Sequence, residues 1–179
     1  ADYVTTGQWA KKALAEAKRY ITANEIASSA DKTFSYLPDV DKSMLTPGAD
    51  YVHITYNNTI YGTHYNTLPD FGDATIVTDM SSCILSEEVD FNKFGLVYAG
   101  AQKNMGPAGV TVVIVREDLL GNYPLEKYPV MLDWKTMADK DSMYNTPPTY
   151  GIYVLGLVAK WVEDMGGVKA MQELSLIHI

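Results

Sequence analysis

Three short apolar runs limit how this chain folds. Residues 74–77 give way to Thr78 and Asp79, residues 95–98 to Ala99, Gly100 and Ala101, and residues 110–115 to Arg116, Glu117 and Asp118. Each run is short, made mostly of strand-forming residues, and nearly continuous rather than alternating, the pattern of strands covered on both faces. Strands of that kind belong to a mainly parallel sheet flanked by helices or long connections. Residues 51–56 add another strand, broken by the turn chemistry of Asn57, Asn58 and Thr59.

The intervening segments supply the helices. Residues 8–20 read as amphipathic, with Trp9, Ala13, Ala17 and Tyr20 on one face and Lys11, Lys12, Glu16 and Lys18 on the remainder. Thr6 is placed to cap that helix. Residues 22–49, with Pro38, Pro47 and Gly48, read as loop with one short strand near 34–37. A helical turn is expected near 118–120. Pro147 and Pro148 precede a second helix over 150–164, with an apolar stripe of Ile152, Leu155, Val158 or Ala159, and Val162. Gly166 and Gly167 stop it. The expected class is α/β.

Composition narrows the partners. The length, 179 residues, suits one domain, and the net charge of −8 argues against nucleic acid, which needs clustered cations. No window holds the roughly 18 apolar residues that would cross a bilayer, so no membrane partner is expected. The single cysteine, Cys83, excludes an internal disulfide and fits a reducing compartment, so a cytoplasmic location is expected.

In open α/β sheets, functional groups gather at the carboxyl ends of strands. Thr59, Asp79 and Lys103 all sit at such places. Lys103 lies among small residues, between Tyr98 and Gly109, that permit close approach of a ligand. A lysine there can bond an aldehyde covalently when its amine is neutral, and pyridoxal phosphate is the usual aldehyde. That cofactor's ring nitrogen wants a carboxylate, for which Asp79 is available; Trp9 can stack on the ring and Thr59 can bond its oxygens. Each also has an ordinary reading. On residue type and spacing alone the ordinary reading comes first: Lys103 as a solvated loop lysine, Asp79 as a turn or cap residue, Trp9 as core and Thr59 as a turn residue.

Other chemistries fit less well. His53, His64 and His178 have no zinc-ligand spacing with Cys83, so no metal is expected, and His53 reads as a structural histidine. Glu87 and Glu88 read as part of a solvated turn. Dinucleotide, Walker and nucleophile-elbow motifs do not occur.

Five segments together carry a resemblance. Residues 99–109 (AGAQKNMGPAG), 79–86 (DMSSCILS), 57–60 (NNTI), 6–9 (TGQW) and 145–149 (NTPPT) are similar, in order and spacing, to the phosphoserine aminotransferase family. That family consists of class V, fold-type I pyridoxal-phosphate enzymes. The resemblance runs from about residue 2 to residue 173, apart from the variable stretch after Thr22.

The resemblance implies a homodimer that converts 3-phosphohydroxypyruvate and glutamate into phosphoserine and 2-oxoglutarate in serine biosynthesis. Some members also serve pyridoxine biosynthesis. By position, it implies that Lys103 is the covalent cofactor lysine and proton shuttle, Asp79 the partner of the ring nitrogen, and Trp9 the stacking residue. Thr59 and Gln102 would hold cofactor oxygens, and Asn145 and Thr146 would reach the phosphate of the neighbouring subunit's cofactor. Asn58 stands where the family commonly has Glu.

The family's chain continues beyond both ends of this one. Residues 1–173 are therefore expected to be the central part of the large domain, without its N-terminal segment or the small domain. Residues 174–179 are expected to be a non-native tail. Only two arginines occur, Arg19 and Arg116, outside any substrate motif, so these residues alone are expected to be inactive. Alternatives are another fold-type I enzyme, such as a different aminotransferase or a cysteine desulfurase, and a non-catalytic structural or interaction fragment.

Overall fold

The computed structural model describes residues 1–122 and 125–177. Strands β1 (Asp2–Thr5), β2 (Asn24–Ser28), β3 (Val52–Thr55), β6 (Ile76–Asp79), β7 (Leu96–Gly100) and β8 (Thr111–Val115) form a six-stranded sheet in the order β2-β1-β3-β6-β7-β8. All its pairings are parallel except β7 with β8. A small hairpin of β4 (Asn57–Asn58) and β5 (Thr63–His64) follows β3. Helices α1 (Gln8–Ala17), α2 (Trp134–Asp139), α3 (Thr149–Asp164) and α4 (Gly167–Ile177) complete the fold. No helix among the described residues is long and apolar enough to cross a membrane.

Of the apolar runs, β6 and β7 lie inside the sheet but alternate buried with partly buried residues. β1 and β3 are buried along their whole length, and Val4, Val52, Ile54 and Val97 pack into the main core with Met80, Ala99 and Ala101. β8 departs from the two-sided burial expected of it. It has only β7 as a neighbour in the sheet, and Ile114 is exposed.

Other differences have local causes. The short strand expected near 34–37 does not form, because Thr33 and Phe34 adopt left-handed backbone with φ of 54° and 58°. β2 pairs upstream of it instead. β1 was not anticipated from the sequence, because it is only four residues long and opens the chain. Helix α1 stops at Ala17, so Tyr20 lies outside it and is exposed. Its buried residues are Ala10 and Leu14 rather than the expected face, and Leu14 packs with Tyr3 and Ala23. Thr6 does not cap the helix: Gly7 is the cap residue, and the Thr6 side chain is buried. Residues 117–119 form a 3-10 turn close to where a helical turn was expected. Of the residues expected to be a foreign tail, 174–177 fall within α4, and His178 and Ile179 lie outside the described residues.

His53 in β3 is enclosed between Tyr3, stacked at 4.9 Å, and Tyr98, whose hydroxyl lies 3.0 Å from Nε2. Its Nδ1 has no hydrogen-bond partner among the described residues. Burial disfavours the imidazolium and holds the His53 pKa down to about 4, against a slight opposing pull from Asp79. The unfolded chain takes up this proton near pH 6.5. The stabilising contribution of neutral His53 is therefore full above pH 6.5 and is lost as pH falls toward 4. Urea melts of wild type should lose up to about 3 kcal/mol more across that window than melts of His53→Gln. Parallel stability–pH curves would contradict the assignment.

Candidate functional site

The parallel register sets three strand ends side by side. Thr55 pairs with Asp79, and Asp79 pairs with Tyr98, so the chain leaves β3, β6 and β7 along one edge of the sheet. Asp79 is fixed there by its own turn. Its Oδ1 accepts hydrogen bonds from Ser81 N at 2.9 Å and Ser81 Oγ at 2.6 Å. Ser81 Oγ in turn accepts from Gly100 N at 3.0 Å, tying the turn to the end of β7. Oδ2 accepts no hydrogen bond among the described residues, so one carboxylate oxygen remains for a ligand.

Lys103 sits just beyond β7. The amides of Met105 and Gly106 both bond the Ala101 carbonyl, closing a tight turn. Ala101 and Met105 are buried, which leaves Gln102, Lys103 and Asn104 between them facing outward. Asn104 Nδ2 donates to the Ile84 carbonyl at 2.7 Å and joins this turn to the segment after β6.

The Lys103 ammonium lies 5.4 Å from the centroid of the Trp9 ring, and Lys12 Nζ lies 4.8 Å from it. Trp9 is 44% exposed, so it is not the core residue that its ordinary reading requires. The structure thus brings Trp9 and Lys103 together. Asp79 and Lys103 also lie close enough to act on one neighbour: both bear electrostatically on the Cys83 thiol, in opposite directions.

The other expected site residues are placed less tightly. Thr59 lies exposed in the hairpin turn after β4. Gln102 folds its amide back over Gly100, where an added Cβ would come within 2.7 Å of Gln102 Oε1. Asn145 and Thr146 are exposed in the connection between α2 and α3, and no hydrogen bond among the described residues joins them to Lys103, Asp79 or Trp9.

Cys83 is buried, and desolvation, helped by Glu87 and Asp79, pushes its thiol up to about 12. A thiol so rarely ionised is a poor nucleophile, which tells against a desulfurase.

Asn58 is the functional residue that sequence reasoning undervalued. It is buried, and its Nδ2 donates to Thr6 Oγ1 at 3.0 Å. Its Oδ1 occupies the space where a side chain at Gly7 would start, 2.5 Å from an ideal Cβ. Asn58 therefore sets the entry to α1 and, through it, the position of Trp9. Ser81 had a readable signal in the short Asp79-Met80-Ser81 turn; Asn58 had none, because Asn-Asn-Thr reads as an ordinary turn.

This cluster of amine, carboxylate and indole at one edge of a parallel sheet suits a flat heteroaromatic aldehyde with a basic ring nitrogen. A family described as aminotransferase class-V matches residues 1–177. The chain belongs to the class-V aminotransferases. It is 49% identical over 175 residues to a phosphoserine aminotransferase of Herminiimonas arsenicoxydans, covering 98% of this chain and 48% of that one. The solved phosphoserine aminotransferase of Bacillus circulans subsp. alkalophilus superimposes with a TM-score of 0.91 at 48% identity, covering 97% of this chain and 48% of that one. The pyridoxal-phosphate-bound phosphoserine aminotransferase of Trichomonas vaginalis superimposes with a TM-score of 0.88 at 36% identity, covering 97% and 49%. The chain spans about half the length of the curated relatives it matches. These class-V likenesses bear out the fold-type I, mainly parallel α/β architecture.

The Asn58 arrangement makes a stability prediction for this class-V chain. Asn58→Leu leaves the buried Thr6 hydroxyl without its donor, a loss of about 1–3 kcal/mol. Urea denaturation should show that loss together with a changed Trp9 fluorescence. An unaltered midpoint and spectrum would show that Asn58 does not hold the start of α1.

Proposed function

We propose that the full-length protein carrying this chain is a pyridoxal-phosphate aminotransferase. It interconverts 3-phosphohydroxypyruvate and glutamate with O-phospho-L-serine and 2-oxoglutarate, in the cytoplasm, as part of serine biosynthesis. The observation that carries this reading is Lys103 Nζ standing over the exposed Trp9 ring beside the strand end that holds Asp79. The names of the relatives supply the substrate class.

The residues present fit the cofactor. Asp79 has one oxygen committed to Ser81 and the other available, as a partner for a protonated ring nitrogen must. When bound, pyridoxal phosphate supplies an aldehyde carbon and a ring that accepts the electrons of a carbanion.

The protein's own residues do the rest. Trp9 offers a planar apolar face that orients the ring. Asp79, held rigid by Ser81 and Gly100, keeps the ring nitrogen protonated. Lys103 makes no ion pair among the described residues, so its Nζ is available to meet the cofactor's aldehyde carbon and to move a proton at the amino acid's Cα. Thr59 and Gln102 hold cofactor oxygens.

Asn145 and Thr146 make no described bond to their own chain's cluster, which supports a role toward the cofactor phosphate of a second subunit in a homodimer. Both arginines are engaged locally, Arg19 with Glu16 and Arg116 with Asp118. The cations for a substrate bearing phosphate and carboxylate must therefore come from residues other than these, and the 179-residue chain alone is inactive.

Borohydride reduction of the full-length protein with pyridoxal phosphate, followed by peptide mass mapping, should place the phosphopyridoxyl group on Lys103. Labelling of another lysine instead, or equal labelling of Lys103→Ala, would sink the proposal. Asp79→Ala should keep the fold and lower turnover on the order of 100-fold or more, by analogy with the loss of one preorganised electrostatic partner. Unchanged turnover would remove Asp79 from the mechanism.

A further inference from the structure

Cys83 and Glu87 share one short segment, and the fold brings His64, from the preceding hairpin, beside them. His64 ends the hairpin strand β5, Cys83 lies in the turn after β6, and Glu87 follows that turn. One ligand atom from each falls within 4.8 Å of the others. Cys83 is buried, and the His64 and Glu87 side chains are only 22% and 23% exposed. The Tyr56 ring closes one side, edge-on to His64 at 5.1 Å. Glu87 is therefore not the solvated turn residue that its neighbour Glu88 suggested. Sequence spacing hid the cluster because His64 meets the Cys83 and Glu87 segment only across the fold.

Glu87 Oε1 is the telling atom. It lies 2.8 Å from His64 Nε2, yet it is enclosed and accepts no well-directed hydrogen bond. That contact and the nearby Cys83 sulfur gather three potential ligand atoms of one cation in a largely enclosed place. Tetrahedral zinc holds nitrogen, oxygen and sulfur ligands about 3.3–3.6 Å apart, given bond lengths near 2.0 and 2.3 Å. The three atoms need to shift by only about 1 Å to reach that spacing. A bound zinc would displace the Cys83 thiol proton, and sulfur, imidazole and carboxylate together select a borderline cation such as Zn2+ over Mg2+ or Ca2+, which take all-oxygen sites.

We propose that His64, Cys83 and Glu87 form a binding site for a zinc-class divalent cation, with a water as the fourth ligand. The ion links the β4–β5 hairpin to the connection between β6 and β7. The hairpin carries Asn58, so the cation would also steady the entry to α1. This site does not depend on the proposed activity. Lys103, Asp79 and Trp9 are not among its ligands.

The test uses the full-length protein, reduced and stripped of metal, with Zn2+ alone as the probe. Equilibrium dialysis should give one Zn2+ per chain, and zinc X-ray absorption should show one sulfur at about 2.3 Å among nitrogen and oxygen ligands at about 2.0 Å. Cys83→Ser should lose the sulfur signal, and His64→Gln and Glu87→Gln should each weaken binding on the order of 10-fold or more. No stoichiometric zinc, or affinity unchanged in His64→Gln, would overturn the proposal. Should Cys83→Ser fail to fold, the wild-type spectrum decides: a sulfur in the first shell supports the site, and a shell of nitrogen and oxygen alone overturns it.

Discussion

Parallel pairing of β3, β6 and β7 is the constraint on which the rest depends. Parallel strands all exit the sheet at one edge, so their following loops must share that edge. The register fixes more than proximity. Thr55, Asp79 and Tyr98 are lateral neighbours, and a slip of one residue in β6 would turn Asp79 to the opposite face. Burial of Ile76 and Thr78 makes such a slip costly, because it would turn Val77 and the Asp79 carboxylate into their places.

Around that edge, polar contacts convert a strand end into a rigid site. Ser81 couples Asp79 to the backbone of Gly100, and Asn104 couples the lysine turn to Ile84. Asn58 does the same for the opposite side by fixing Thr6 and Gly7 ahead of Trp9. None of these three needs to touch a substrate. Each removes freedom from a residue of the candidate site, and a site pre-positioned in this way loses less entropy on binding.

The central strands and the candidate site residues could be read from sequence for a physical reason. Central strands are apolar, so β6 and β7 announced themselves as short runs, with Asp79 and Lys103 where they ended. The antiparallel edge strand β8 shows the same pattern without two-faced burial. What could not be read depended on long-range geometry. Trp9 looked like core until α1 proved to bury Ala10 and Leu14 instead. Phe34 looked like strand because a left-handed backbone leaves no mark in an apolar residue's identity. Asn58 and Glu87 looked like turn residues, because the partners that define them lie across the fold. The proposed reach of Asn145 and Thr146 to a second subunit's cofactor is something no local pattern encodes.

A crystal structure of the full-length protein with pyridoxal phosphate tests the central claim most directly. The account predicts continuous density from Lys103 Nζ to the cofactor's aldehyde carbon, with an Asp79 oxygen within hydrogen-bond distance of the ring nitrogen and Trp9 against the ring face. A cofactor joined to a different lysine, or a ring nitrogen with no contact to Asp79, would contradict it.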